Sequence, residues 1–592
     1  MFGSGTRTDD LDKHKHGLKK QLFLLLFLLV CAVFHPVVRG EFLFWDDDFH
    51  IFENPHLTGL SWEQLKWIFT GTEYFGRYQP LLWLGWSVIK SCVGLNPFWF
   101  HLIVLLYHAS SAGLVFLMIR KLLLLAEKAS EETAPAHLSI AAALGAALWA
   151  VHPMRAETTA WAVEMGYAQA LFLFLLSFLC FLRSTESSSA WRSGYYWVSL
   201  ALFLASLISF PIAMGGFVVF IALEIYPLRR LSVDPWRWLA ASNRRIALEK
   251  LPFVAVAVLV GWVNLHVRSY HGGTWTALPT LNDFPPAARV MQAFYIWAYY
   301  IWRPLWPVHL TPFPTRLMTF RPFEADFVLS AILVLGLSAW LFLQRRRWPA
   351  AFVVLGCHLG LLVPMLGLSE HPHYPSDRYD LIVGICWAAL FAGWLEKSWP
   401  WERGRRVLLG GTAVVILLLA LMSYNQALIW QTNDRFLHYI LSGLNDSPLF
   451  VPRRVNIYTR LARAYSQHGD TTNAVASLRT AAALMPEYAP VRVQLGNTLM
   501  AAGQPEAARA TFDDAARLDP QFSSPFNDLG VAFAQQGKLD LATEQFARAL
   551  GANPANPSAL KNMATALQQL GKTNEAQAYL RKFNAPSAAP SR

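Results

Sequence analysis

Apolar residues follow two regimes along the chain. Between residues 21 and 425 they gather into long, nearly unbroken runs, and beyond that they recur at helical intervals among alanine, glutamine and charged residues. A helix needs about 20 mostly apolar residues to cross the hydrocarbon core of a bilayer. On that measure the pattern predicts eleven membrane spans, at 21–38, 98–119, 138–151, 166–182, 195–209, 211–226, 251–267, 327–343, 350–368, 380–395 and 406–424. A basic stretch, residues 1–20 with Arg7, Lys13, Lys15, Lys19 and Lys20, precedes the first run as it would in a signal peptide. No A-x-A-like site follows, so the run is expected to stay as the first span. The run 289–308 is aromatic and interrupted by Pro304 and Pro307, which predicts a re-entrant or interfacial segment. Residues 40–97 read as a mostly polar loop with one amphipathic piece. In that piece Ser61 suits an N-cap, and Trp62, Leu65, Trp67, Ile68 and Phe69 suit a helix lying in the membrane interface.

The second regime has a period. Gly469, Gly503, Gly537 and Gly571 are spaced by 34, as are Pro486, Pro520 and Pro554, and Ala481, Ala515 and Ala549. Small residues let paired helices approach, glycine ends the first helix of each unit and proline the second. The period predicts a tetratricopeptide (TPR) α-solenoid over 456–584, of about three full units and a partial one, behind a linker at 426–455. Its concave face would suit an acceptor polypeptide. Residues 585–592, rich in Pro, Ser and Ala, predict a disordered tail.

Composition agrees with a membrane protein. The chain is 54% hydrophobic and 15% charged, against roughly 25% charged in soluble domains. The formal net charge is +11, but the basic residues sit in short loops between apolar runs, which argues for orientation in a bilayer and against nucleic acid as a partner. Arg120, Lys121 and Lys128, then Arg229 to Lys250, Arg345 to Arg347, and Lys397 to Arg406 mark one side; Arg77, Arg155 and Arg378 are scattered on the other. The positive-inside rule then places the N-terminus in the cytoplasm and both the 40–97 loop and the repeats outside it. The compact basic N-terminus and alanine-rich repeats favour a bacterial inner membrane. The five cysteines form neither a disulfide framework nor a metal pattern.

Charge then singles out candidate chemistry. Trp45-Asp46-Asp47-Asp48-Phe49-His50, followed by Glu53 and Asn54, puts three consecutive carboxylates just past the first span. A second patch is His152-Pro153-Met154-Arg155-Ala156-Glu157, and a third is Glu370-His371-Pro372-His373 through Asp377-Arg378-Tyr379-Asp380. His266, Arg268, His271, Arg303, His309 and Arg316 form a fourth, less ordered set. All fall at span ends, whereas a transporter would place ionisable groups in mid-span. A sugar on a polyprenyl phosphate has its tail in the bilayer, its phosphate at the headgroups and its sugar beyond. Its transfer to a hydroxyl needs a carboxylate as general base and positive charge on the leaving phosphate.

The chain resembles the GT-C glycosyltransferases of the protein O-mannosyltransferase type, most closely the transmembrane-and-TPR-containing O-mannosyltransferases and their bacterial relatives. Trp45-Asp46-Asp47 with Ile51 and Asn54 matches the family's first loop, Gly94 to His101 with His108 its entry into the second span, His152-Pro153 with Glu157 and Trp161 its second loop, and Asp377-Arg378-Tyr379 its late loop. The resemblance implies an all-α polytopic GT-C core followed by a TPR solenoid, a polyprenyl-phosphate sugar donor and inversion at the anomeric centre. It implies Asp46 and Asp47 as catalytic residues. With it, Glu157 is expected to support the acceptor or a metal, Arg378, Arg77 and Arg155 to hold the donor phosphate, and Asn54, His152, Asp377 and Tyr379 to support them. A divalent metal (Mg or Mn) would sit on Asp46 and Asp47. Two departures remove charge: Gln79-Pro80 stands where the family has Arg-Pro, and Met165-Gly166-Tyr167-Ala168-Gln169 replaces a Gly-Arg-x-Asp element. They favour a rival expectation, a membrane-anchored TPR scaffold with an inactive core.

Overall fold

The computed structural model describes residues 5–71, 74, 76–131, 134–187, 189–238, 240, 243–270, 280–368, 373–519 and 524–584, without the side chains of 5–16, 269–270 and 319. The sequence features at Glu370, His371, Pro372, His271, Pro520 and 585–592 lie outside the described residues. The chain divides into two compact units, Met1–Phe436 and Leu437–Arg592. Among the described residues both are helical and contain no strand.

The first unit begins with α1 (Gly5–Phe34), α2 (Trp62–Thr70), α3 (Pro80–Val93), α4 (Pro97–Glu127), α5 (Ala136–Ala150), α6 (Ala156–Ala160), α7 (Met165–Ser184), α8 (Gly194–Ser209) and α9 (Gly216–Ile225). It continues through α10 (Arg244–Leu248), α11 (Leu251–Tyr270), α12 (Pro286–Trp302), α13 (Ala325–Leu343), α14 (Pro349–Leu362), α15 (Asp380–Lys397) and α16 (Glu402–Ile429). Among the described residues seven helical segments are long and apolar enough to cross a membrane, or eight if the pair Ala136–Ala150 and Pro153–Ala160, bent by 59°, is one span. This is a polytopic membrane protein, and its spans differ from the expected eleven in a definite way. The runs 195–209, 211–226 and 350–368 form apolar helices of 10–17 residues, shorter than the seven. The supposed polar loop also contains a further short apolar helix, α3, which buries Leu82, Trp83, Trp86 and Ile89. The aromatic run at 289–308 is helical through Trp302 as α12, and Pro304 and Pro307 fall beyond that end, so they follow the helix and do not break it.

Two polar contacts fix the path between these helices. Asn433 Oδ1 accepts from Phe44 N at 2.6 Å, and its Nδ2 donates to Glu41 Oε2 at 2.8 Å and Phe42 O at 3.0 Å. The residues just past α16 therefore hold the start of the acidic loop. Ser61 caps α2 as expected, accepting from Gln64 N at 3.2 Å.

The second unit begins within α17 (Asn433–Gly443), which occupies part of the expected linker. Four helix pairs are described, α18 (Val451–Gln467) with α19 (Thr471–Leu484), α20 (Ala489–Ala501) with α21 (Pro505–Leu518), α22 (Ser524–Gln535) with α23 (Leu539–Ala552), and α24 (Pro557–Gln569) with α25 (Thr573–Asn584). That is more than the three units and a part expected. The periodic Gly469, Gly503, Gly537 and Gly571 all take φ between 72° and 77°, the left-handed conformation that closes a helix C-terminus. Gly530 works differently: a Cβ there would meet Phe546 Cε1 at 2.5 Å. Gly530→Val is expected to cost about 1–3 kcal/mol through overpacking. Limited proteolysis of the full chain should then cut in the repeats first, while cutting confined to the membrane unit would contradict this.

Candidate functional site

The acidic loop is folded tightly. Asp48–Phe52 forms one π-helical turn, and His50 N donates to Asp46 O at 3.1 Å. Asn54 holds this turn: its Nδ2 donates to His50 O at 3.0 Å and its Oδ1 accepts from His56 N at 2.9 Å. The three aspartates then separate. Asp47 is fully buried, its Oδ2 accepting from Leu43 N at 2.8 Å and its Oδ1 from Val163 N at 2.9 Å. It ties the first loop to the segment ahead of α7. Asp48 is buried as well. Asp46 is half-buried and lines a narrow cleft, of about 30 Å³, together with His50, Arg77, Gln79, Leu82, Trp86, Val163, Glu164, Tyr167, Phe210 and Arg378.

Burial raises the Asp47 carboxyl well above the usual aspartate range, the two backbone N–H donors opposing it and the charges of Asp46 and Asp48 adding to it. His50 is pushed down to about 3, first by burial and then by the Arg77 charge. It therefore stays neutral at working pH. The unfolded chain binds a proton near the ordinary histidine pKa of about 6.5 and the folded chain does not, so stability is full above that value and falls on acidification from about 6.5 toward 3. His50→Asn should flatten the fall in thermal midpoint across that window; an unchanged slope would assign the acid lability elsewhere.

The late loop supplies the opposite charge. Arg378 Nη1 is ion-paired with Glu157, and Arg378 N donates to Glu157 Oε2 at 3.1 Å. Its Nε lies 3.2 Å from Tyr167 Oη and 3.7 Å from Glu164 Oε1. The guanidinium packs over Trp161, Tyr167 and Tyr379 at 5.5–5.7 Å from their ring centroids. This cage holds a cation rigidly while its side chain stays 19% exposed to the cleft. Glu164 Oε2 and Trp161 Nε1 are buried with no hydrogen-bond partner among the described residues.

The remaining candidates sit around this centre. Arg155 is ion-paired with Asp380, is 1% exposed, and does not line the cleft. His152 Nδ1 accepts from Met154 N at 3.3 Å and its Nε2 meets Pro304 O at 3.0 Å, so it braces the turn before α6. Asp377 is buried. Among the described residues no three His, Cys, Asp or Glu side chains are grouped to hold a metal ion. Both Asp47 oxygens accept from backbone N–H groups, so Asp47 is committed first to holding the loop. Glu164 and Tyr167 are cleft residues that motif reading passed over. The signal was a lone carboxylate at the head of an apolar run, expensive there without a function or a partner.

Comparison with known proteins gives relatives for the chain and a family for its repeats. A tetratricopeptide repeat family model matches residues 465–529. The chain is similar to protein O-mannosyl-transferase TMTC1 of Homo sapiens, 23% identical over 513 residues, covering 79% of this chain and 55% of that protein. It is also similar to protein O-mannosyl-transferase TMTC2 of Homo sapiens, 25% identical over 240 residues, covering 39% of this chain and 27% of that protein. The chain thus spans about half the length, or less, of these relatives. Among solved structures the chain is similar to the MamA protein crystal structure, 21% identical, covering 26% of this chain and 79% of that one at a TM-score of 0.22.

Proposed function

We propose that this chain is a GT-C type membrane glycosyltransferase that moves a sugar from a polyprenyl-phosphate donor to a hydroxyl of a polypeptide on the extracytoplasmic side. The observation that carries the reading is that Asp46 and Arg378, at opposite ends of the membrane unit's sequence, line one cleft. The similarity to protein O-mannosyl-transferases supports the reaction class and favours mannose and Ser/Thr acceptors.

In this reading Asp46 takes the proton from the acceptor hydroxyl. The hydroxyl oxygen attacks the anomeric carbon from the face opposite the phosphate, the carbon–oxygen bond to phosphate breaks, and the configuration inverts. Arg378 and Arg77 stabilise the charge left on the phosphate. Glu157 fixes the Arg378 fork, and Asp47 holds the loop that presents Asp46. Arg155, paired with Asp380, supports the wall of the site and does not touch the donor. The repeat unit binds the acceptor polypeptide.

The test is transfer of labelled sugar from polyprenyl-phosphate mannose to a Ser/Thr peptide by the purified full chain. Gln79 in the cleft, where the resemblance expects arginine, favours a second reading as a membrane-anchored TPR scaffold. Peptide binding with no turnover of any lipid-linked sugar would select that reading and reject the first.

A further inference from the structure

Away from this cleft, two cavities meet at the end of α15 that is remote from Arg378. The first is a slot of about 260 Å³ between α4, α7, α9, α14 and α15, and its lining is overwhelmingly apolar. Along α15 it runs from Ile382 to Lys397. At about 1.5 Å per residue that is roughly 22 Å of helix, the length of an extended acyl chain. The second is an open chamber of about 540 Å³ and is polar, lined by Glu402 and Arg405 of α16 among others. The two share Glu127, Glu396 and Lys397.

An apolar slot opening through a charged rim into a polar chamber has the form of an amphiphile. The rim chemistry narrows which one. Lys397 and Arg405 offer positive charge to a phosphate, and Arg347 does so from the mouth of the slot. Glu127, Glu396 and Glu402 offer acceptors to an ammonium. Glu396 faces His137 Nε2 at 3.6 Å, and His137 stacks on Trp399 at 5.1 Å, which closes one wall of the chamber. A purely anionic headgroup would leave the carboxylates opposed to it, and a quaternary ammonium would offer them no N–H donor. We propose that the paired cavities bind one phospholipid whose headgroup carries both a phosphate and a primary ammonium, with an acyl chain in the slot beside α15. This site is independent of the transferase reading.

The probe is phosphatidylethanolamine. Full-length protein in nanodiscs of equal phosphatidylethanolamine, phosphatidylglycerol and phosphatidylcholine would be released for native mass spectrometry. The ethanolamine lipid should be retained about tenfold over either competitor, a difference worth about 1.4 kcal/mol. Glu127→Gln with Glu396→Gln should abolish that preference, and Ala389→Trp, which fills the slot, should remove the lipid adduct altogether. Thermal unfolding of each variant checks that it is folded; Arg347→Gln with Lys397→Gln, changing two exposed side chains, gives an independent loss of retention. Equal retention of the three lipids, retention unchanged in the variants, or replacement by a polyprenyl phosphate would overturn the proposal.

Discussion

Asp46→Asn is expected to reduce sugar transfer on the order of a hundredfold to ten-thousandfold, the range that a positioned general base contributes. The substitution keeps the side chain's size and removes its ability to take a proton. Asp47→Asn should behave differently. Asp47 does not line the cleft, and its two oxygens accept the Leu43 and Val163 N–H groups inside the protein. An amide offers only one oxygen acceptor, so one buried N–H loses its partner, at about 1–3 kcal/mol. Asp47→Asn should therefore lower the thermal midpoint, while Asp46→Asn leaves it nearly unchanged. Steady-state transfer and thermal unfolding on the same preparations separate the two. Full activity in the Asp46 variant would remove the base from the mechanism.

Arg378→Ala is expected to have the largest combined effect. It would leave Glu157 and Glu164, 3% and 5% exposed, without their cation. Removing one partner of a buried ion pair costs about 3–5 kcal/mol, so this variant should fold poorly. Loss of activity alone would therefore prove little. The informative protein is Arg378→Met combined with Glu157→Gln and Glu164→Gln, which removes the stranded charges with the arginine. It should recover much of the thermal stability and remain unable to transfer sugar. Recovery of both would make Arg378 a structural cation with no part in holding the donor phosphate.

The contrast between these residues marks what sequence reading could reach. The repeats were legible because their glycines serve one backbone purpose at a fixed interval, a positive φ at each helix end. The long apolar runs were legible for a similar reason, since each is a single physical requirement repeated. Helix α3 was not, because Gln79-Pro80, Ser87, Lys90 and Cys92 make its stretch look like loop, while burial of Trp83 and Trp86 supplies the reason it folds. The acidic triplet was recognisable as a site, but three adjacent aspartates have the same composition whichever way they point. Only the π-helical turn and the amide of Val163 distinguish the one that faces the cleft. Arg155 and Arg378 posed the same difficulty: each is an arginine near a span end, and only their partners, Asp380 and the Glu157–Glu164 cage, tell them apart.

The grip of Asn433 on Glu41, Phe42 and Phe44 has a consequence in time as well as in space. The acidic loop is among the first segments to be synthesised, and the residue that clasps it emerges only after α16 is complete. Until then the backbone that carries Asp46 lacks the acceptor and donor that set its entry angle. A growing chain thus gains the clasp on Glu41, Phe42 and Phe44 last, and a product ending before Asn433 would carry every motif of the site without that clasp.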